Sequence, residues 1–323
     1  MLLNAVSLLC ALLIGFAAHR ASLCNVRAVA EILTAGTAHM LWSLLQAVLW
    51  MATLTGALVV LLDIEPPMAL ARAPLAWALA GGLLFGIGAA INDGCSISTL
   101  HRLADGELGM LASLAGFAAG VCSWFTLEAL GWPMTVVPVV SPWRRWPGPA
   151  PGLLALLLLW ALLRLRFFWQ LARHAGNAPV HERLLAPNYH LSVSAALLGI
   201  AGGLLFAITG AWSYSNFLRS SVLHQLGDAM APSLWHGVLI GALLVGMIVS
   251  AVQRRSHAWR WPATGAGWLR HAGGGALMGT GAAMIPGGND TLLLNGLPAL
   301  SAAATGAYVF MLAGIASVLF LRR

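Results

Sequence analysis

The chain has 323 residues, of which 17 are arginine and 10 are acidic, so only 8% carry a formal charge. Soluble domains average about 25% charged residues. With 59% hydrophobic residues and a mean hydropathy of +0.83, the chain lacks the polar surface that a soluble globular fold requires. The composition therefore excludes an ordinary soluble protein and predicts one that faces a lipid bilayer.

The positive charge does not indicate nucleic-acid binding. The net charge is +7 and the pI is near 10.2, but the arginines are scattered between apolar segments and form no basic helix. The chain also contains no lysine, which excludes a Walker A phosphate loop and a pyridoxal phosphate Schiff base. We therefore expect no nucleic-acid partner, no cofactor and no ATP-driven pumping by this chain.

Nine apolar segments approach the length of about 20 residues that a membrane passage needs. They cover residues 2–18, 39–62, 75–91, 107–130, 151–171, 191–208, 232–252, 267–285 and 299–320. The first segment lacks the basic start and the cleavage pattern of a signal peptide, so we expect it to be retained. Four stretches are too short to span and predict short helices inside the protein: 24–35, 95–102, 213–225 and 289–296. The pattern predicts an all-α polytopic membrane protein.

An internal repeat relates the two halves of the chain. Residues 81–95 align without gaps with residues 274–288 at an offset of 193, and eight of these 15 positions are identical. A weaker match pairs residues 16–27 with residues 206–219. The repeated segment contains G-x-x-x-G pairs in both copies, a pattern that favours close helix packing.

A single additional passage, 151–171, lies between the two repeats. It would give the second half the opposite orientation in the membrane to the first. Inverted repeats with broken helices that meet near the membrane midplane are typical of secondary transporters. We therefore divide the chain into a first repeat, a linker helix with its loop, and a second repeat, at residues 1–150, 151–190 and 191–323.

Arginine clusters predict the orientation of the chain. They follow the linker passage, follow passage 232–252 and close the chain, which places all three on one side in a nine-passage protein. By the positive-inside rule, that side and the C-terminus are expected to be cytoplasmic, with the N-terminus periplasmic, in a bacterial inner membrane. Arg144 and Arg145, in the opposite loop, run against this assignment.

Cys24 and Cys95 have matched positions, each after an apolar helix and at the start of a short one. The unpaired N–H groups and positive dipole at a helix N-terminus lower the pKa of a thiol and also bind anions. Each position therefore combines a reactive sulfur with a site for an anion. Cys10 and Cys122 lie inside apolar runs and are expected to be packing residues, and no C-x-x-C pair is present.

Polar and glycine residues at the same helix breaks complete the candidate pathway: Asn25, Gly94, Ser96, Gly287, Gly288, Asn289 and Thr291. Asn289 has two interpretations, a cap on the short helix or a substrate contact. Asp290 has three: a cap, a coupling-proton site, or a side chain that points away from the anion. Arg20 and Arg27 either attract the anion or extend to lipid headgroups. No histidine has an H-x-x-x-H partner, so we expect no metal site.

The motif G-x-G-x-x-x-x-x-G-C-S at residues 86–96, followed by L-H-R-L at 100–103 and G-E-L-G at 106–109, is distinctive. Together with the repeat, it resembles the YeeE/YedE family of sulfur-transport membrane proteins, whose best-understood members import thiosulfate. The resemblance implies a pseudo-symmetric bundle of nine spanning and four short helices. It also implies a central path on which thiols pass thiosulfate along by S–H···S contacts, with Cys24 and Cys95 as two of them. A TusA-type sulfur-carrier protein is the implied recipient.

The third thiol of such importers has no counterpart in this sequence, because residues 285–291 contain no cysteine. The cargo is then a small sulfur-containing anion: thiosulfate, sulfite, a persulfide-like species or a selenium analogue. The alternative is a membrane thiol oxidoreductase in which Cys24 and Cys95 form a redox pair. The absence of C-x-x-C and of a visible quinone or haem site favours transport, so we expect a transporter and not an enzyme.

Overall fold

The fold is described from a computed structural model of the chain, which describes residues 2–64, 75–131, 141–174, 186, 189–210, 212–227, 231–285 and 287–323. Over these residues the protein is helical, and the extended structure is one isolated bridge between Glu107 and Arg260. The predicted all-α polytopic fold is confirmed. Most of the loop after the linker helix and much of the loop before it lie outside the described residues.

Long helices alternate with short ones. The long helices are α1 (Leu2–Ala21), α3 (His39–Leu62), α4 (Leu75–Asn92), α6 (Gly109–Ala129), α8 (Ala150–His174), α9 (Leu191–Thr209), α11 (Leu234–Gln253), α12 (Gly265–Met284) and α14 (Ala302–Leu321). The short helices are α2 (Asn25–Ala35), α5 (Ser96–Ala104), α7 (Pro142–Arg145), α10 (Tyr214–Gln225) and α13 (Asn289–Thr291). A π-helical turn, Leu292–Gly296, continues α13.

Eight helical segments in the described part of the chain are long and apolar enough to cross a membrane. Of the nine predicted passages, 267–285 corresponds to α12, which is 20 residues long but is not among those eight. This helix carries Arg270 and His271 near its start and packs between α4 and α6, so much of it does not face lipid. The number of nine crossings stays a prediction.

The long helices pack in two groups. One group contains α4, α6, α12 and α14, and the other contains α1, α3, α9 and α11, with α8 against the outside of α3. In the first group, α12 packs on α6 and α14 packs on α4. In the second group, α1 packs on α11 and α9 packs on α3. Such an exchange of partners is what a twofold-related duplication produces. It supports the predicted repeat, which itself stays a prediction.

Glycine pairs bring the helices of the first group into backbone contact. A Cβ at Gly82 or Gly86 would lie 2.2 or 2.1 Å from a carbonyl oxygen of α14. At the matching Gly275 and Gly279, the distances to carbonyl oxygens of α6 would be 2.1 and 2.0 Å. No side chain fits at these four positions, so the packing role predicted for both G-x-x-x-G pairs is confirmed.

One face of the molecule collects the ends of α1, α4, α5, α11 and α14. His19 of α1 lies 2.9 Å from the Ser250 hydroxyl of α11. After α4, the Asp93 carboxylate lies 2.9 Å from both Arg270 of α12 and Arg322 beyond α14. We call this the arginine-rich face, because Arg254, Arg260, Arg270 and Arg322 lie on it.

The opposite face has its own ion pair. Arg144, in the short helix α7, lies 2.9 Å from the exposed carboxylate of Asp63 at the end of α3. Trp143 beside it is buried and donates from its indole nitrogen to the Pro298 carbonyl oxygen at 2.9 Å. The positive-inside rule counts basic residues and not net charge, so Arg144 still runs against the assignment.

Candidate functional site

Four short helices begin inside the protein, two in each half of the chain. Cys24 and Cys95, both with extended backbones, are the N-caps of α2 and α5. In the second half, Ser213 and Gly288 are the N-caps of α10 and α13. All four residues are buried. The N-termini of the short helices, whose first N–H groups have no partners within their own helices, therefore meet in one buried region.

The two predicted thiols face each other at this meeting point. The Cys95 sulfur lies 4.0 Å from the Cys24 sulfur, and the two residues are 1% and 3% exposed. Both cysteines are free, since a disulfide requires a sulfur separation of about 2.05 Å. Backbone N–H groups of Arg27 and Ser98, in the first turns of α2 and α5, lie within reach of the Cys24 and Cys95 sulfurs respectively.

Asn289 joins the second half of the chain to the Cys95 helix. Its Oδ1 atom accepts a hydrogen bond from the Ser96 backbone N–H at 3.2 Å and one from the Ser96 hydroxyl. The amide Nδ2 atom is buried and has no hydrogen-bond partner among the described residues. The predicted cap on its own helix is wrong, because Gly288 is that N-cap and the Asn289 oxygen caps α5 instead. The free Nδ2 atom leaves the substrate-contact interpretation open.

Asp290 joins the same region to α10. One carboxylate oxygen accepts the Ser215 backbone N–H at 3.0 Å, and the other accepts the Ser215 hydroxyl. The Ser96 hydroxyl lies 3.3 Å from the carboxylate, and the Gly288 N–H donates to the Ser215 hydroxyl at 2.8 Å. Asp290 thus caps the N-terminus of α10, a neighbouring helix, whereas the predicted cap was on its own short helix.

Hydroxyl groups complete the ring around the thiols. Thr291 lies 2.6 Å from the Ser213 hydroxyl. The Tyr308 hydroxyl of α14 donates to the Asn25 side-chain oxygen at 2.7 Å. Gly287 has a φ of +133°, and a Cβ there would lie 2.5 Å from Thr291, so only glycine fits this approach to the site.

The structure brings most of the predicted pathway residues together. The central cluster consists of Cys24, Asn25, Cys95, Ser96, Ser213, Ser215, Gly288, Asn289, Asp290, Thr291 and Tyr308. Gly94 and Gly287 lie directly before two of its members, and a Cβ at Gly94 would lie 2.9 Å from the Ser98 hydroxyl. Sequence reasoning missed Ser213, Ser215 and Tyr308. The weak match of residues 16–27 with residues 206–219 was the signal for the two serines.

The two predicted anion-attracting arginines have different positions. Arg20 is 1% exposed, donates to the Gln253 side chain at 2.7 Å and to the Ala186 carbonyl oxygen, and lies 4.8 Å over the Phe16 ring. It is therefore built into the arginine-rich face and does not extend to headgroups. Arg27 lies exposed on the first turn of α2. Attraction of an anion by Arg27 stays a prediction.

A histidine cluster lies at the ends of α1 and α5. Nitrogen and oxygen atoms of His19, His101 and Asp105 lie within 4.8 Å of one another, although their spacing in the sequence predicts no metal site. His19 Nε2 is 3.2 Å from Asp105, and the Ser256 hydroxyl donates to Asp105 at 2.5 Å. Burial raises the pKa of the Asp105 carboxyl, but these hydrogen bonds outweigh burial and hold the pKa at about 2. The carboxylate is ionised at neutral pH.

A small cavity adjoins the central cluster. Its volume is about 30 Å³, and Ser213, Tyr214 and Asp290 supply the polar part of its wall, while the rest is largely aliphatic. A cavity of this size holds about one or two water molecules. It does not hold an anion the size of thiosulfate, so the central cluster is closed in this conformation.

Comparison with known proteins identifies the family. The sequence model for sulphur transport matches residues 20–317. The chain belongs to the sulphur transport family. The thiosulfate transporter TsuA of Spirochaeta thermophila is 26% identical to it over 283 residues, which cover 75% of this chain and 77% of that protein. The predicted resemblance to the YeeE/YedE proteins is therefore confirmed.

Membership of the sulphur transport family fits the eight membrane-length apolar helices. The chain is an integral membrane protein of a sulfur-transporting family, as predicted. The family and the relative both indicate a transporter, and neither favours the thiol oxidoreductase alternative.

Proposed function

We propose that the protein carries a small sulfur-containing anion, thiosulfate or a close analogue, across the bacterial inner membrane by way of the Cys24 and Cys95 thiols. The observation that carries the proposal is the 4.0 Å approach of these two buried sulfurs at the N-termini of two short helices. The similarity to a protein named as a thiosulfate transporter supports thiosulfate as the first substrate to test.

The physical problem for such a transporter is the dehydration of a doubly charged anion. Moving a charge from water into a protein interior is unfavourable unless hydrogen-bond donors replace the lost water. The central cluster supplies donors of two kinds: thiol S–H groups, which suit a soft terminal sulfur, and backbone N–H groups at helix N-termini, which suit oxyanions. A site with both kinds distinguishes thiosulfate from sulfate by the sulfur atom.

The second half of the chain contributes an amide in place of a third thiol. Gly288 stands at the N-cap of α13 and has no side chain to offer. The Asn289 amide nitrogen beside it is buried and donates no hydrogen bond to the described residues. We infer that this amide donates to the anion when the path opens, which replaces a sulfur contact with a nitrogen one.

The arginines indicate the orientation of the protein in the membrane. We infer that the arginine-rich face and the C-terminus are cytoplasmic, because several arginines lie on that face and the positive-inside rule applies to them. The N-terminus is then periplasmic. A TusA-type sulfur-carrier protein as recipient on the cytoplasmic side rests on the family resemblance alone.

Uptake by purified protein in proteoliposomes tests the function. Vesicles containing the full chain should accumulate labelled thiosulfate faster than protein-free vesicles, and an excess of unlabelled thiosulfate should compete better than sulfate. Parallel measurements with sulfite and selenium analogues rank the cargo. If no sulfur-containing anion enters, and a reversible Cys24–Cys95 disulfide instead turns over with a quinone, the oxidoreductase alternative is correct.

A further inference from the structure

A buried carboxylate lies on the route proposed for an anion. Asp290 is 3% exposed, and no ion pair joins it to an arginine or histidine among the described residues. We propose that Asp290 binds one proton together with the anion, so that the protein is a proton–anion symporter. This inference rests on the proposed function and adds its coupling ion.

The hydrogen bonds of Asp290 stabilise its charge only while the site is empty. Its carboxylate accepts the Ser215 N–H at 3.0 Å and lies at the N-terminus of α10, where the helix dipole favours a negative charge. These are the donors that a substrate anion also requires. An ionised Asp290 therefore competes with the anion for donors and repels it at short range in a poorly screened interior.

Protonation of Asp290 removes both the competition for hydrogen-bond donors and the repulsion of the anion. The neutral acid O–H becomes a donor, while the Ser96 and Ser215 hydroxyls, at 3.3 Å and in direct contact, can rotate to accept or donate. The step is a simple binding equilibrium: carboxylate plus proton gives carboxylic acid, and no atom is oxidised or reduced. A doubly charged anion then enters with one proton, and release of the proton on the far side restores the cap on α10.

The surroundings of Asp290 contain few other groups that titrate. Asp290 packs against α5, α10 and the π-helical turn Leu292–Gly296. At the starts of α10 and α5, the titratable groups near Asp290 are the Tyr214 phenol, which interacts electrostatically with it, and the thiol of Cys95, which directly precedes Ser96. The π-helical turn has none, and the remaining titratable residues of α5 and α10 lie further along those helices: His101, Arg102, Arg219 and His224.

The 30 Å³ cavity beside Asp290 is too small to admit the anion. Asp290 forms part of its wall with Ser213 and Tyr214. Its volume excludes thiosulfate, and its largely apolar wall offers a water molecule few hydrogen-bond partners. The anion therefore approaches Asp290 from the side of the thiols and not through this cavity.

The pH dependence of binding tests the inference on the unaltered protein. Thiosulfate stays a dianion near neutral pH, so its own protonation does not interfere. If one proton binds with each anion, the thiosulfate Kd of the purified full chain should rise by about tenfold per pH unit over the range where free Asp290 is ionised. A Kd that stays constant between about pH 6 and pH 8 contradicts the inference while leaving the proposed function intact.

Substitution of Asp290 locates the proton site. Asp290→Asn mimics the protonated acid, so this variant should bind thiosulfate with no pH dependence and exchange labelled for unlabelled thiosulfate, but lose acceleration by an inward proton gradient. Asp290→Glu should keep the acceleration. Asp63→Asn, at the exposed pair with Arg144, is the control and should behave as the parent protein. Gradient-driven uptake by Asp290→Asn contradicts the proposal; failure of the parent to move thiosulfate at all contradicts the proposed function instead.

Discussion

The oxygen and the nitrogen of the Asn289 side-chain amide have different roles. Its oxygen accepts the Ser96 N–H at 3.2 Å and so fixes the start of α5, next to Cys95. Its nitrogen is buried without a partner among the described residues. Leaving a buried donor unsatisfied costs about 1–3 kcal/mol, and a bound anion would recover much of that cost. The side chain therefore links the position of one thiol to the binding of the anion.

Two substitutions separate these roles. Asn289→Asp keeps an oxygen for Ser96 but loses the amide donor and adds a negative charge, whereas Asn289→Ala removes both ends. A hydrogen bond to a charged group contributes about 1.5–3 kcal/mol, so the thiosulfate Kd of Asn289→Ala should rise by about 10- to 100-fold, and that of Asn289→Asp at least as much. Binding is measured at equal expression, with thermal unfolding as the control. An unchanged Kd in both variants would leave Asn289 as a helix cap only.

Local sequence context explains which residues of the cluster were predictable. Cys24, Cys95 and Asn289 each follow the end of an apolar helix, so a polar or thiol side chain there stands out at membrane depth. Tyr308 does not stand out, because it lies inside an apolar helix and meets Asn25 across a separation of 283 residues. The pairing of hydroxyls with Asp290 depends in the same way on how α10 and α13 cross, which no local pattern contains.

Among the helices, α12 is the one whose packing depends most on glycines. It lies between α4 and α6, and Gly275 and Gly279 meet α6 at distances that exclude a Cβ. Gly273, on the same helix, is exposed and has nothing within 4 Å of the position that a Cβ would take. The helix thus offers a tightly packed glycine and an unpacked one within two turns.

These two positions give a matched pair of substitutions. A Cβ at Gly279 would lie 2.0 Å from the Phe117 carbonyl oxygen, so Gly279→Ala must push α12 away from α6 and should lower the free energy of unfolding by about 1–3 kcal/mol. Gly273→Ala meets nothing and should be neutral or stabilise by up to about 1 kcal/mol. Thermal unfolding in detergent distinguishes them; equal melting temperatures would contradict the close packing of α12 on α6.

The boundaries of the short helices were largely predictable from the sequence. Predicted stretches 24–35 and 213–225 correspond to Asn25–Ala35 and Tyr214–Gln225, because a polar residue marks each start. The stretch 289–296 divides into a short α-helix and a π-helical turn in which the Leu297 N–H bonds the Leu292 carbonyl oxygen at 2.9 Å. A change of hydrogen-bond register leaves the apolar pattern intact, so the sequence did not predict it.

At the scale of the whole molecule, the arrangement of helices agrees with two copies of one unit. The two halves exchange partners in both groups of long helices, and each half contributes two of the short-helix starts that meet at the centre. The repeat in residues 81–95 and 274–288 predicted a duplication, but the contacts between halves follow from packing that the alignment does not contain. The inversion of the second copy in the membrane stays a prediction.

Accessibility labelling tests the orientation. Pro149 and Trp259 are both exposed, the first before the linker helix and the second between α11 and α12. In intact cells, an impermeant maleimide should label Pro149→Cys, on the periplasmic side, and not Trp259→Cys, on the cytoplasmic side. The parent protein measures background from the four native cysteines. Labelling of Trp259→Cys alone would reverse the orientation, and equal labelling of both would contradict the nine-passage topology.

The central claim is that a sulfur-containing anion crosses the protein by contact with the two facing thiols. It is tested most directly by thiosulfate uptake into proteoliposomes containing the Cys24→Ser/Cys95→Ser double variant. Serine keeps the size and a hydroxyl donor but removes the soft sulfur, so uptake should fall to the rate of protein-free vesicles, while Cys10→Ser and Cys122→Ser keep the parent rate. Parent-like uptake by a correctly folded double variant would contradict the account.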